Sequence, residues 1–182
     1  MRIISGTARG LKLVSPDGDS TRPTLDRVKE AVFSMLLPYI MDSTVLDLFA
    51  GSGALGIEAV SRGAKRAVFV DINKKSVDCI KKNISNARFS DVSTVYNADA
   101  LDFLNKTREK FDLIFLDPPY MGGLYENVFK LIEKNNLLND DGIILVEMDY
   151  ENRITNNLFG FELIKEKKYG KVCVLVLKRR QV

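Results

Sequence analysis

Val45-Leu46-Asp47-Leu48-Phe49-Ala50-Gly51-Ser52-Gly53-Ala54-Leu55-Gly56 reads as a buried strand, a glycine turn and the start of a helix. Gly51 and Gly53 let the backbone turn sharply and approach a ligand, and Gly56 lets the next helix sit close to the sheet. Amides at the start of that helix point at whatever the turn holds. Taken alone, Gly-x-Gly-x-x-Gly also fits a dinucleotide site or a plain tight turn, so later positions have to agree. Two carboxylates do. Asp71 ends the run Ala67-Val68-Phe69-Val70, twenty positions after Gly51, where an acidic side chain can accept both hydroxyl protons of a ribose. Asp99, in Asn97-Ala98-Asp99-Ala100 after a third short strand, stands where an adenine amino group needs an acceptor. Each Asp also fits a helix N-cap, although Asn73 could cap in place of Asp71 and free it.

Further along, Leu113-Ile114-Phe115-Leu116 runs into Asp117-Pro118-Pro119-Tyr120. Two prolines fix their own φ and bias the residue before each towards extended geometry, so this is a stiff corner at a strand end. The Asp117 carboxylate and the Pro118 carbonyl are acceptors for a planar amino group, and the Tyr120 ring offers a stacking face. An ordinary turn is the plainer reading of these four residues. Their order in the chain argues against it: glycine corner after strand one, Asp71 after strand two, Asp99 after strand three, Asp-Pro-Pro-Tyr after strand four. Adjacent parallel strands would present all four corners on one edge of an open α/β sheet, where such sheets bind ligands.

These motifs resemble those of class I S-adenosylmethionine-dependent methyltransferases, matched here from Asp47 to Gly56, at Asp71, at Asp99 and from Asp117 to Tyr120. A nicotinamide dehydrogenase would share the glycines but leaves Asp-Pro-Pro-Tyr unexplained. A narrower resemblance lies in Arg2-Ile3-Ile4-Ser5-Gly6, Arg9-Gly10-Leu11-Lys12-Leu13, residues 21–33 from Thr21-Arg22-Pro23-Thr24 onward, and Tyr169-Gly170-Lys171. Together they are similar to RsmD, the bacterial guanine-N2 methyltransferases of small-subunit ribosomal RNA, nearly end to end. Ser5 stands where that family commonly has glycine, and Ala8 where it usually has an aromatic residue. The resemblance implies a Rossmann-like α/β fold: seven strands, mostly parallel with the last antiparallel, helices on both faces, and an N-terminal β-hairpin. It implies one domain over 1–182, with 1–23 an RNA-contacting extension and 24–182 the catalytic core. S-adenosylmethionine would be held by Asp47, Phe49, Ala50, Gly51, Ser52, Gly53, Gly56, Asp71, Ile72, Asn73, Asp99 and Ala100. Asp117, Pro118, Pro119 and Tyr120 would be catalytic. The implied substrate is guanine 966 of 16S rRNA, in the 30S subunit or an assembly intermediate, with ribosomal proteins as possible co-partners. An adenine-N6 methyltransferase on DNA or RNA, or a non-catalytic RNA-binding assembly module, are the alternatives.

The chain has no histidine and two isolated cysteines, Cys79 and Cys173, so neither an imidazole base nor a zinc site is expected. Methyl transfer from a sulfonium is compatible with that, because positioning can do most of the work. At 182 residues and 46% apolar, the chain suits one well-buried core. No apolar run spans a bilayer and the start lacks a signal-peptide core, which predicts a cytoplasmic protein. A monomer is expected. Net charge is +3, but residues 1–30 carry +2 and 165–182 carry +6, so the ends are the candidate polyanion contacts. Arg2, Arg9, Lys12, Arg22 and Arg27 are the RNA-binding candidates; the C-terminal lysines fit a solvated hairpin equally well.

Apolar spacing at Val28, Ala31, Val32, Met35 and Leu36 predicts a helix ending near Pro38 and covering the edge of the core. Residues 15–20 read as an exposed loop, 124–138 as a helix, 142–148 as strand five, and 161–167 with 172–178 as a closing antiparallel pair.

Overall fold

Each apolar run found in the sequence becomes a strand. In this computed structural model, which describes residues 1–16, 23–118, 123–154 and 158–180 and only the backbone of 23–25, they are β1 (Thr44–Asp47), β2 (Arg66–Asp71), β3 (Ser93–Asn97), β4 (Phe111–Leu116), β5 (Leu138–Asp149), β6 (Phe161–Tyr169) and β7 (Val172–Arg179). The helices are α1 (Pro23–Leu36), α2 (Ala54–Ser61), α3 (Lys74–Ala87), α4 (Ala100–Lys106) and α5 (Leu124–Lys134). One sheet runs β3-β2-β1-β4-β5-β7-β6. β1 to β5 are parallel, and β7 is antiparallel to both β5 and β6. The order of strands reverses between β1 and β4, which makes the crevice at their carboxyl ends the topological switch point. Among the described residues no helix is long and apolar enough to cross a membrane.

Strand alternation divides the core. Val45, Phe69, Leu113, Phe115, Ile143 and Leu145 pack under α1, α2 and α3, while Leu46, Val68, Ile114, Leu116, Ile144 and Val146 pack under α4 and α5. Gly56 faces β2 so closely that an added Cβ would lie 2.3 Å from a Phe69 ring atom. Two helices depart from expectation. α1 lies on a sheet face rather than over an edge, with the Phe33 ring 5.8 Å from that of Phe115 on β4. α5 stops at Lys134 instead of near residue 138, because Asn135 caps it, Asn136 adopts φ 52°, and the buried Leu138 already belongs to β5.

Residues 1–13 form a narrow antiparallel ribbon, with Arg2 paired to Lys12 and Ile3 N–H donating to the Leu11 carbonyl at 2.9 Å. The ribbon docks on the end of α2. Fully buried Glu58 accepts the amides of Ile4 (2.8 Å) and Ser5 (3.0 Å), while Ser61 Oγ donates to the Ser5 carbonyl and accepts the Ala8 amide. Gly6, at φ 84°, meets the Ser61 carbonyl so closely that a side chain there is excluded. Most of the 15–20 loop lies outside the described residues.

Candidate active site

Four strands carry a carboxylate at or near their carboxyl ends: Asp47 on β1, Asp71 on β2, Asp117 just after β4 and Glu147 on β5. Each keeps the alternation of its strand, so all four belong to the face beneath α1, α2 and α3. Asp47 is 3% exposed and accepts the Gly56 amide at 2.9 Å. Burial pushes its carboxyl up to about 7, against that hydrogen bond and with help from the negative charges of Asp117 and Asp71. Asp117 opens to the crevice, yet crowding by protein pushes it up to about 6. Glu147, half-buried, is pushed to about 7 by desolvation and by Asp117.

Three of these acids share a cavity of about 250 Å³ with the glycine corner. Asp47, Asp117 and Glu147 line it, together with Phe49, Ala50, Gly51, Ser52, the start of α2 at Ala54 and Leu55, and Val28, Lys29 and Val32 of α1. Gly51 sits at φ 54° with open space where a side chain would be, and Gly53 at φ 76° caps α2. Asp71 binds the corner from the next strand: Oδ2 accepts the Gly51 amide and Oδ1 the Asn73 amide, both at 2.8 Å. Asn73 caps α3 through the Lys75 amide, so Asp71 is spared that task. Between them Ile72 is 70% exposed, an apolar platform beside a carboxylate. This arrangement fits a nucleoside cofactor: backbone freed at Gly51, hydroxyl acceptors at Asp71, and an apolar surface at Ile72.

Asp99 is an N-cap, its Oδ1 accepting the amides of Leu101 (2.8 Å) and Asp102 (3.1 Å), and it opens on a separate hollow of about 460 Å³ with Tyr96 and Asn97. The Ala100 side chain belongs to the core. Pro118 is buried, and Pro119 and Tyr120 lie outside the described residues, as does Arg22. Arg2, Arg9 and Arg27 converge on a hollow of about 440 Å³ that also includes Asp26 and Glu30, whereas Lys12 is exposed outside it. This hollow adjoins the cavity: residue 1 and residues 28 and 29 line one, residues 2, 26, 27 and 30 the other.

Sequence reasoning missed three residues here. Glu147 could have been found as the lone acid in Ile143-Ile144-Leu145-Val146-Glu147-Met148, on the face of Ile143 and Leu145. Lys29 is buried and lowered in pKa by desolvation, against the opposing pull of Glu58. Asn83, fully buried, bonds both polar backbone atoms of Val14 and donates to the Ser52 carbonyl, tying the ribbon's exit to the glycine corner. Neither of the last two carries a local signal.

A family model described as conserved hypothetical protein 95 matches residues 1–178. Ribosomal RNA small subunit methyltransferase D of Haemophilus influenzae is 41% identical over 173 residues, covering 93% of this chain and 89% of that protein. The protein of the same name from Escherichia coli is 38% identical over 179 residues, covering 98% and 90%. The chain belongs to the RsmD family. Its membership agrees with shape, since the solved structure of Escherichia coli yhhF superposes with a TM-score of 0.89 at 38% identity, covering 99% of this chain and 98% of that one. The fold is that of the Rossmann-like class I methyltransferases, including the antiparallel β7 between β5 and β6.

Proposed function

We propose that this protein transfers a methyl group from S-adenosylmethionine to the exocyclic N2 of a guanine in 16S rRNA, the position of guanine 966, within the small ribosomal subunit or its assembly intermediate. One observation carries the reading: the Asp117 corner and the glycine corner open into a single cavity, beside an arginine-lined hollow. The cofactor, when bound, supplies a methyl group on a positively charged sulfur. Gly51 and Asp71 hold its nucleoside, with Ile72 against the base. Asp117 and the Pro118 carbonyl accept the two protons of the exocyclic amine, which orients a poor nucleophile and favours the tetrahedral nitrogen of the transition state. Asp117 then faces the proton released. Extruding the base costs a few kcal/mol, offset by phosphate contacts from Arg2, Arg9, Arg22 and Arg27 and by stacking on Tyr120, worth about 1–3 kcal/mol. The enzyme acts as a monomer, with ribosomal proteins completing the surface that the RNA meets.

The test is tritiated methyl transfer to 30S subunits that lack their native guanine modification, with the product mapped by mass. Wild type should yield N2-methylguanine, and Asp117→Ala should lower kcat by at least about 10²-fold, the usual loss for a preorganised polar group at the reacting atom. Product at an adenine N6, or turnover unaffected by Asp117→Ala, would sink this reading.

A further inference from the structure

Glu147 has no part in holding an exocyclic amine through Asp117 and Pro118, yet it stands beside them. Leu116 of β4 pairs with Val146 of β5 in parallel register, so Asp117 and Glu147 are the next residue of each strand, on one face and in one cavity. The Glu147 backbone is held by the Tyr125 hydroxyl, which donates to its carbonyl at 3.1 Å. Its carboxylate has no hydrogen-bond or ion-pair partner among the described residues. Lys29, the cation that lines the same cavity, is already engaged by Glu58 at 3.0 Å and by the Arg2 carbonyl. A half-buried carboxylate without a donor is unfavourable unless a ligand supplies one.

Purine edges differ in what they supply. Guanine presents its N2 amine beside a ring N1–H, two donors side by side. Adenine presents its N6 amine beside a ring nitrogen that only accepts. Two neighbouring carboxylates match the first pattern and oppose the second.

We propose that the Glu147 carboxylate accepts the N1–H of the target guanine while Asp117 holds its N2 amine, which makes Glu147 the residue that selects guanine over purines without that proton. The inference rests on the guanine-N2 reading above. It goes further in assigning base specificity to β5.

The experiment uses full-length protein, S-adenosylmethionine and 30S subunits rebuilt with ligated 16S rRNA that carries guanine or 2-aminopurine at the target. 2-Aminopurine keeps the N2 amine and lacks the N1 proton. Wild type should prefer guanine in kcat/KM by on the order of 10- to 100-fold, the range of a hydrogen bond to a charged group. Glu147→Gln, whose amide can donate to the N1 lone pair, should shrink that preference at least about tenfold; loss of the guanine O6 is common to both proteins and cancels. Cofactor affinity of each protein is measured alongside. A wild-type preference near one overturns the proposal even if the variant does not fold. An unchanged preference in Glu147→Gln overturns it too, and if cofactor affinity falls instead, Glu147 belongs to the cofactor. In both cases guanine methylation by wild type still stands. Absence of N2-methylguanine in the wild-type guanine arm is a separate result, and removes the underlying reading together with the inference.

Discussion

Helix α2 has a buried carboxylate at each end, and the two are treated in opposite ways. At the glycine corner Asp47 receives one donor among the described residues, the Gly56 amide, and has two other acids for neighbours. At the far end Glu58 receives four: Lys29 at 3.0 Å, Arg62 at 2.7 Å, and the Ile4 and Ser5 amides. Burying a charge is costly unless donors surround it. Glu58 is therefore a fastener, joining the ribbon, α1 and α2 around one satisfied anion. Asp47, with Asp117 and Glu147 beside it, is left short of donors on the side where a ligand enters. Donor supply separates anchoring from readiness to bind, although both carboxylates are almost fully buried.

The sharpest contrast should come from removing the fastener. Glu58→Ala leaves Lys29 buried without its anion and frees the ribbon, so a loss of about 3–5 kcal/mol in unfolding free energy is expected. For a chain of this length that is roughly a 10 °C fall in Tm. The exposed pair Lys178–Glu162 is the control, where Glu162→Gln should change stability by under about 1 kcal/mol. Equal effects at the two sites would remove Glu58 from its structural role.

At the other end of α2 the sign reverses. The folded Asp47 carboxyl lies at about 7, above its unfolded value of 3.8, so between those values the folded state holds a proton that the unfolded state has lost. Stability from this group is full below the unfolded value and declines as pH rises, until it is spent above about 7. The window is worth up to ~4 kcal/mol. Asp47→Asn keeps an acceptor for the Gly56 amide and removes the charge, so the slope of stability against pH measured by chemical denaturation across pH 4–8 should become shallower, the remainder coming from the raised Asp117 and Glu147. A slope unchanged by the substitution would place the unfavourable charge elsewhere. Activity follows the neighbouring group in the opposite direction: kcat/KM should fall as pH drops through about 6, where Asp117 becomes protonated and ceases to accept.

The glycine corner and the acids after β2 and β4 were legible because each follows an apolar run, and strand order turns chain order into position. Glu147 was equally legible in principle, since alternation from Ile143 places it on the site face, but a run read only as buried hides its last polar member. Glu58 and Asn83 were not. Both sit inside helices and find their ribbon partners 54 and 69 positions away, distances that no local pattern encodes. Net charge alone did not choose between the two basic ends, because it is larger on the C-terminal pair than at the N-terminus. In the fold β6 is an edge strand whose exposed Lys165, Lys167 and Lys168 deter pairing with another sheet. The Lys168 ammonium lies over the Tyr150 ring at 3.6 Å, so one of those cations is already engaged, while the segment's one acid, Glu166, pairs with Arg153.

That distinction sets the smallest effect. The ribbon carries Arg2 and Arg9 to the hollow beside the cavity, and Glu58 fixes it there, so anchoring and the proposed RNA contact are linked through one strand of chain. If Arg9 neutralises a phosphate, Arg9→Ala should weaken RNA binding about uniformly across sequences and reduce the slope of log K against log salt by roughly 1. Lys165→Ala, on the distant edge strand, should leave the slope within about 0.3 of wild type, a third of one phosphate contact. Filter binding of 16S rRNA fragments between 50 and 200 mM salt, a range in which counterion release is readily read, measures both. The reverse ranking would move the RNA to the β6 edge, and would leave the fastener at Glu58 holding a ribbon for the sake of the cofactor corner alone.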